Sequence, residues 1–93
     1  MHQKKILSKD KIQQIIKKEK LKNKKIVMCH GAFDIMHVGH LNHFQQAKKY
    51  AGILVVSVTS DQYINKGPGR PVNNLKNRMN LLASLEVVDY VFE

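Results

Sequence analysis

Residues 53–58 read Ile-Leu-Val-Val-Ser-Val, a nearly continuous apolar stretch in which hydrophobic and polar residues do not alternate. A β-strand that is covered on both faces has this pattern, and such strands are typical of parallel sheets flanked by helices. We therefore expect residues 53–58 to form the central strand of a parallel α/β sheet.

Two shorter stretches predict the neighbouring strands. Residues 26–29 read Ile-Val-Met-Cys and predict a buried strand that ends at His30-Gly31. Residues 89–92 predict the last strand of the chain, and a loop is expected over residues 31–38.

Apolar residues at three- and four-residue spacing predict a helix in each interval between strands. The first helix runs from Gly39 to near Gly52, and the second is capped by Asn73 or Asn74. Their apolar stripes are Leu41, Phe44, Ala47 and Ala51 in the first, and Leu75, Met79, Leu82 and Leu85 in the second. This alternation predicts an α/β fold with a Rossmann-like parallel sheet, in which ligands bind beyond the carboxyl ends of the strands.

Size and composition narrow the class of protein. The 93 residues suffice for one small domain, and 43% apolar with 25% charged residues is ordinary globular usage. The longest apolar stretch, residues 53–58, is far shorter than the roughly 20 residues of a membrane-spanning helix. Cys29 is the single cysteine, so no internal disulfide is possible, and no apolar signal segment follows the N-terminus. We expect a soluble, cytoplasmic protein.

The net charge of +9 is concentrated at the N-terminus. Residues 1–25 contain ten lysines against Asp10 and Glu19, a net charge of +8. A helix capped by Ser8 or Asp10 is expected to run to about residue 22, with Ile12, Ile15 and Ile16 on its apolar stripe. We therefore expect a basic helical extension over residues 1–24 and the main domain over residues 25–93. The lysines form either a solvated face or an arm that binds phosphates or a partner.

Residues 31–40, Gly-Ala-Phe-Asp-Ile-Met-His-Val-Gly-His, leave the first strand and enter the first crossover helix. Gly31 is expected to allow a sharp turn that brings backbone N–H groups close to a ligand. A helix N-terminus attracts anions, and His37 and His40, three residues apart, project to one side there. Gly39 between them leaves room for a phosphate chain. The segment therefore predicts a site where two imidazoles stabilise charge on phosphoryl oxygens.

Two other interpretations of these histidines remain open. Either histidine is a structural or solvent-exposed residue, as isolated histidines commonly are. Alternatively, His37, His40 and His43 are evenly spaced and approach one metal ion, although no fourth ligand is evident nearby.

Residues 25–92 resemble the cytidylyltransferase-like nucleotidyltransferases. The signature of that family is a glycine, then Phe-Asp, then His-x-Gly-His after the first strand, as in residues 31–40 here. Residues 66–73, with Arg78 and residues 86–89, look most like the adenylyltransferases that activate heptose phosphates. Glycerol-phosphate and ethanolamine-phosphate cytidylyltransferases are similar over the histidine motif. The resemblance implies the Rossmann-like sheet of the adenine nucleotide alpha hydrolase-like class, and family members continue beyond the third strand, so we expect the sheet to be C-terminally incomplete.

The resemblance also implies roles for individual residues. The catalytic residues would be His37 and His40, which bind the nucleotide phosphates, with Lys66 and Arg78, which neutralise phosphate charge. The residues that shape the nucleotide and substrate pocket would be Gly31, Ala32, Phe33, Asp34, Gly39, Asp61 and Arg70.

For four of these residues a plainer role is also consistent with the sequence. Arg78 lies on an amphipathic helix and is either a site residue or a solvated surface residue. Lys66 and Arg70 flank two glycines in a segment that is either a lid over the triphosphate or a surface turn. Asp61 most simply caps a short helical turn over residues 61–64.

The activity that the resemblance implies is transfer of a nucleotidyl group from ATP or CTP to a phosphorylated small molecule, preferably a sugar phosphate, with release of pyrophosphate. Mg²⁺ would accompany the triphosphate. The expected partners are these two substrates and a second copy of the chain in a homo-oligomer, and neither nucleic acid nor a membrane is expected. The alternative from another class is a non-catalytic nucleotide- or RNA-binding module that uses the basic first helix.

Overall fold

The structure is a computed structural model that describes residues 2–64 and 67–93. Its helices and strands in chain order are α1 (Lys9–Leu21), β1 (Ile26–Gly31), α2 (Val38–Tyr50), β2 (Ile53–Val58), α3 (Leu75–Ala83) and β3 (Tyr90–Phe92). Single turns of 3-10 helix lie at His2–Lys5 and Asp61–Tyr63.

The three strands form one parallel sheet in the order β1-β2-β3. Ile26 lies opposite Ile53 and Gly31 opposite Val58, so β1 and β2 are in register along their full length. Every residue of β2 is buried, because helices cover the sheet on both faces. The predicted α/β fold with a Rossmann-like parallel sheet and a central second strand is confirmed.

Alternate residues of the sheet face two separate hydrophobic clusters. On one face, α2 and α3 cover Leu54, Val56 and Val91, with Phe44 and Leu82 fully buried between helices and sheet. On the opposite face, α1 packs against Ile53 and Val55 through Ile12, which is 1% exposed. The period of two along a strand produces this division, because successive side chains point to opposite faces.

The segment before α1 also joins the sheet. Ile6 forms a parallel bridge with Val91, and the Leu7 N–H donates to the Val91 carbonyl at 3.0 Å. Ser8 is the N-cap of α1, because its hydroxyl accepts from the Lys11 N–H. Residues 6 and 7 therefore cover the outer edge of β3. The division of the chain into a basic helical extension (residues 1–24) and a main domain (residues 25–93) stays a prediction.

In the described part of the chain, no helix has the length and apolar character needed to cross a bilayer.

Because the strands are parallel, the loops that follow β1 and β2 lie at the same edge of the sheet. Residues 31–40 and the segment after Val58 therefore meet there, as the sequence predicts.

Candidate active site at the carboxyl edge of the sheet

The loop after β1 turns at Phe33 and not at Gly31. Phe33 has a φ of 54°, in the left-handed region that non-glycine residues seldom adopt, while Gly31 completes β1. A Cβ on Gly31 would lie 3.0 Å from Cζ of the Phe33 ring. The expectation that Gly31 provides a sharp turn is wrong: its missing side chain makes room for the buried Phe33 ring.

His37 and His40 are held by reciprocal hydrogen bonds at the start of α2. Nδ1 of His37 accepts from the Gly39 N–H at 3.0 Å, and Nδ1 of His40 accepts from the His37 N–H at 3.1 Å. His37 is thus the N-cap, which explains why the helix begins at Val38. Since both Nδ1 atoms accept, the neutral rings carry their proton on Nε2.

The two imidazole rings lie side by side. Their centroids are 4.1 Å apart, and the Phe33 ring contacts His40 edge-on with centroids 5.4 Å apart. His37 is exposed and His40 is partly buried. The sequence prediction that His37 and His40 project to one side of the helix start is confirmed in its geometry.

Gly39 is needed for this arrangement. A Cβ at position 39 would lie 2.7 Å from Cε1 and 3.0 Å from Nδ1 of the His37 ring. Such contacts are too short to exist without movement of the ring. Gly39 therefore has a structural reason for lacking a side chain, whether or not a phosphate chain occupies the space above it.

Asp34 organises the loops and is 1% exposed. Its carboxylate accepts from the N–H groups of Val72 and Asn73 at 2.7 and 2.9 Å and from Nε of Arg70 at 2.9 Å. Burial by itself raises the pKa of the Asp34 carboxyl, but the Asn73 and Val72 N–H groups and the Arg70 guanidinium outweigh burial and lower the pKa below its ordinary value. The carboxylate therefore ties residues 70–73 to the loop after β1.

Arg70 is anchored in the same cluster. Besides its ion pair with the Asp34 carboxylate, a second guanidinium nitrogen donates to the Asp34 carbonyl. Gly67 and Gly69 both have positive φ, 96° and 78°, as a tight turn requires. A lid role for Arg70 stays a prediction, and Lys66, the other residue assigned to that lid, lies outside the described residues.

Arg78 is buried and hydrogen-bonds to several separate segments of the chain, so its interpretation as a solvated surface residue is wrong. The residue is 1% exposed, and its guanidinium donates to three backbone carbonyls and to the Asp61 carboxylate. The carbonyls belong to Asn73, Ala32 and Thr59, at 2.9, 2.8 and 2.7 Å. Arg78 thus joins both loops of the carboxyl edge to α3, and direct contact with phosphate stays a prediction.

Asp61 does not cap the short helix that follows β2. Ser60 occupies the N-cap position of that 3-10 turn, and no side-chain hydrogen bond caps it. The Asp61 carboxylate instead pairs with Arg78, while its side chain remains 46% exposed. The expectation of a capping role is wrong because the buried guanidinium is the stronger partner for a carboxylate.

A cavity of about 420 Å³ borders the loop after β1. Its lining includes five residues of the motif, Gly31, Ala32, Phe33, Gly39 and His40. His30 also lines it, and Nδ1 of that ring contacts the Ser57 hydroxyl across the two strands. Sequence reasoning did not select His30, although its position immediately before Gly31 at the carboxyl end of a strand was a usable signal.

Within residues 2–64 and 67–93, no group of three or more His, Cys, Asp or Glu side chains is placed to hold a metal ion. The rings of His37 and His40 direct Nδ1 to backbone N–H groups. The geometry thus favours the hydrogen-bonding interpretation of these histidines over the three-histidine metal site.

Comparison with known proteins agrees with this geometry. Residues 28–93 match the family model described as cytidylyltransferase-like. The Bifunctional protein HldE of Sulfurimonas denitrificans is 45% identical over 84 residues, which cover 88% of this chain and 18% of that protein. The HldE protein of Wolinella succinogenes is 43% identical over 91 residues, covering 96% of this chain and 19% of that one.

A solved structure has the same fold. The lipopolysaccharide core biosynthesis protein from Thermoplasma volcanium matches with a TM-score of 0.68 and 33% sequence identity, over 74% of this chain and 57% of that one. The chain spans less than a fifth of the length of the first of these HldE relatives. The family model covers most of β1, the motif loop and the histidine pair described above, and on this basis the chain belongs to the cytidylyltransferase-like family of nucleotidyltransferases.

Proposed function

We propose that this chain transfers a nucleotidyl group from a nucleoside triphosphate to a phosphorylated small molecule and releases pyrophosphate. The observation that carries the proposal is the histidine pair at the start of α2. Both rings accept backbone hydrogen bonds through Nδ1, so the proton of each neutral ring lies on Nε2. The His40 ring lines the cavity of about 420 Å³, and the centroid of the His37 ring lies 4.1 Å from that of His40. Donors fixed in advance are the means by which an enzyme stabilises charge that develops in a transition state.

In this reaction an oxygen of the acceptor phosphate attacks the α-phosphorus of the triphosphate. The bond from that phosphorus to the bridging oxygen breaks, and its electron pair leaves with pyrophosphate. The substrate provides the nucleophile, so the protein has to position the reactants and stabilise negative charge. His37 and His40 donate from Nε2 to the phosphoryl oxygens, and the dipole of α2 adds to the positive potential there.

Mg²⁺ enters this proposal as the companion of the triphosphate. Among the described residues, the Asp34 carboxylate accepts from the Val72 and Asn73 N–H groups and from Arg70, and Asp61 pairs with Arg78, so the donor set suits a cation held mainly by phosphate oxygens and water. When bound, Mg²⁺ neutralises charge on the phosphate chain. Asp34 and Arg78 hold the loops of the pocket, and Lys66 is proposed to approach the phosphates.

The proposed acceptor is a sugar phosphate, with heptose phosphates first. The resemblance of residues 66–73 to adenylyltransferases of that class supports it, as do the HldE relatives and the lipopolysaccharide core biosynthesis protein of similar fold. ATP is then the preferred triphosphate. Glycerol phosphate and ethanolamine phosphate with CTP are the alternative substrates.

The test is a matrix of ATP and CTP against sugar 1-phosphates, glycerol phosphate and ethanolamine phosphate, with release of pyrophosphate as the readout. ATP with a heptose 1-phosphate is expected to give the highest rate. The same matrix is run with His40→Ala, which is expected to lower turnover at least 10²-fold without loss of folding. Binding of both substrates by a folded protein without release of pyrophosphate contradicts the proposed reaction, and a preference for CTP with an alcohol phosphate contradicts the proposed acceptor.

A further inference from the structure

The end of the molecule opposite the candidate active site is strongly basic and carries two exposed apolar side chains. Here α1 ends, β1 begins and α2 ends, and the Ile53 N–H donates to the Lys25 carbonyl, which joins the turns. We call this surface the basic end. Its residues, all exposed, are Lys18, Lys20, Leu21, Lys22, Lys24, Lys25, Lys49 and Tyr50.

Positive charge dominates the basic end. Among its neighbours, Glu19 pairs with Lys24 at 3.4 Å and Asp89 pairs with Lys48 at 2.6 Å. Glu86, on the loop before β3, is an exposed carboxylate at the same end. Six exposed lysines therefore face few acidic groups, and the surface attracts an extended anionic partner.

The two apolar side chains distinguish between kinds of anionic partner. Leu21 is 87% exposed and Tyr50 is 76% exposed, the highest values among the exposed large hydrophobic residues. The phosphate backbone of a nucleic acid has no apolar surface on which a leucine side chain could be buried. At the interface of a bilayer, by contrast, leucine and tyrosine enter the headgroup region while the surrounding lysines remain beside the lipid phosphates.

Features that favour RNA binding are missing from this surface. Arg70 and Arg78 lie at the other end, paired with Asp34 and Asp61. The ring of Tyr50 has the Lys25 ammonium 5.5 Å from its centroid, so one of its faces is already occupied. Stacking of bases needs an open aromatic face, and specific contacts to nucleic acid commonly use the arginine fork.

We propose that the basic end docks on the surface of an anionic lipid bilayer. The lysines supply electrostatic attraction, and Leu21 with Tyr50 supplies shallow insertion. The expectation of no membrane partner rested on the absence of a long apolar segment, which concerns spanning and not surface association. The six residues of β1 separate this end from the carboxyl edge by about 20 Å, so the docked protein keeps its pocket open to solution.

The experiment is co-sedimentation of the full chain with vesicles at about 0.1 M salt. Vesicles of phosphatidylcholine alone are compared with vesicles that also contain phosphatidylglycerol. Binding is expected only to the second kind and is expected to weaken as salt rises. The triple variant K20Q/K22Q/K25Q is expected to lose about a hundredfold in partition coefficient, since each lysine near an anionic surface contributes roughly fivefold.

Matched variants separate this surface from the general charge of the protein. K9Q/K11Q/K76Q removes the same charge elsewhere and is expected to retain most of the binding. Leu21→Ser is expected to weaken binding about tenfold, while Leu81→Ser, which removes an exposed leucine from α3, has little effect. Circular dichroism establishes that each variant is folded.

Three outcomes overturn the proposal. The first is equal binding to neutral vesicles. The second is an equal loss in the two triple variants, which assigns the effect to net charge alone. The third is failure to bind anionic vesicles; binding of polyuridylate that K20Q/K22Q/K25Q abolishes would then assign the surface to nucleic acid. None of these measurements depends on the proposed nucleotidyl transfer.

Discussion

The His37 ring caps α2 through Nδ1, and Nε2 is the atom that we propose to contact phosphate. Asparagine also accepts a hydrogen bond as an N-cap but has no donor in the place of Nε2. We expect His37→Asn to keep the melting temperature within about 2 °C while turnover falls at least 10²-fold. His37→Ala loses the cap as well, so its melting temperature should fall by about 4–8 °C. Thermal unfolding and pyrophosphate release measured on both variants separate the two roles.

Two results would contradict the two roles assigned to the His37 ring. Near-normal turnover in His37→Asn means that the ring acts only as a cap. An equal fall of melting temperature in both variants means that the ring contributes packing which asparagine does not replace.

The hydrogen bonds to the Asp34 carboxylate determine how the stability of the fold depends on pH. The carboxyl pKa in the folded state lies below the unfolded value, so the group stabilises the fold above the unfolded pKa of about 4 and loses this effect as pH falls through the lower, folded-state pKa. Asp34→Asn should therefore be less stable than wild type at pH 7, and the difference should shrink as pH falls below about 4.

Urea unfolding of the two proteins between pH 7 and pH 3 measures this difference. A gap that stays constant across the range contradicts the assigned role, because the charge of Asp34 would then contribute nothing to stability.

The sequence was informative about single residues where the signal was local. The spacing of His37 and His40 predicts a pair at the helix start, and the pair is there. Arg78 could not be placed in the same way, because its partners Ala32 and Thr59 lie 46 and 19 residues away. An arginine on an amphipathic helix gives no indication of which distant carbonyls it will reach.

Gly39 lies within the first turn of α2, and its exchange tests how the helix start is built. Alanine favours a helix by about 1 kcal/mol over glycine, so propensity alone predicts that Gly39→Ala stabilises the protein. The Cβ, however, would lie 2.7 Å from the His37 ring, and we expect this contact to displace the ring. Turnover should fall at least tenfold, and the gain in stability should be absent.

Gly52→Ala is the matched control. A Cβ at Gly52 meets nothing within 4 Å, and its φ lies outside the left-handed region. Normal pyrophosphate release by Gly52→Ala and a loss in Gly39→Ala are the expected pair of results. Normal pyrophosphate release by both variants would mean that displacement of the His37 ring does not affect turnover.

Periodicity predicted β2 and both crossover helices closely, because burial on one or both faces leaves a regular pattern. The ends were less predictable. The helix that was expected to begin at Gly39 begins one residue earlier, at Val38. Its N-cap is a histidine, which is not one of the usual capping residues, so the sequence did not mark this helix start. The bridge from Ile6 to Val91 was not expected, because pairing between the two ends of a chain leaves no local signal.

Arg78 links segments that are distant in sequence, so its loss should lower the stability of the entire fold. Lysine cannot satisfy three carbonyls and a carboxylate from one nitrogen, so Arg78→Lys leaves buried acceptors without donors. We expect the free energy of unfolding to fall by about 3 kcal/mol in urea titrations. Asp61→Asn, which alters only the half-exposed partner, should cost less than about 1 kcal/mol. Equal small losses in both variants would show that the carbonyl contacts contribute little.

The two edges of the sheet differ in a way that predicts association. Residues 6 and 7 cover β3, whereas among the described residues no strand pairs with the outer edge of β1. Unpaired backbone groups along six residues form a template for another strand, and Met28 beside them is 48% exposed. The net charge of +9 opposes contact between copies, and added salt screens that repulsion.

We therefore expect the chain to associate through β1 more strongly at high salt than at low salt, as light scattering coupled to size exclusion can measure. Met28→Lys places a charge beside the open edge and should shift the chain to the monomer at both salt concentrations, because a charge on an edge strand disfavours pairing. Leu81→Lys adds the same charge on α3 and should leave the association as in wild type. Equal loss of association in both variants would mean that net charge, and not the β1 edge, controls the oligomeric state.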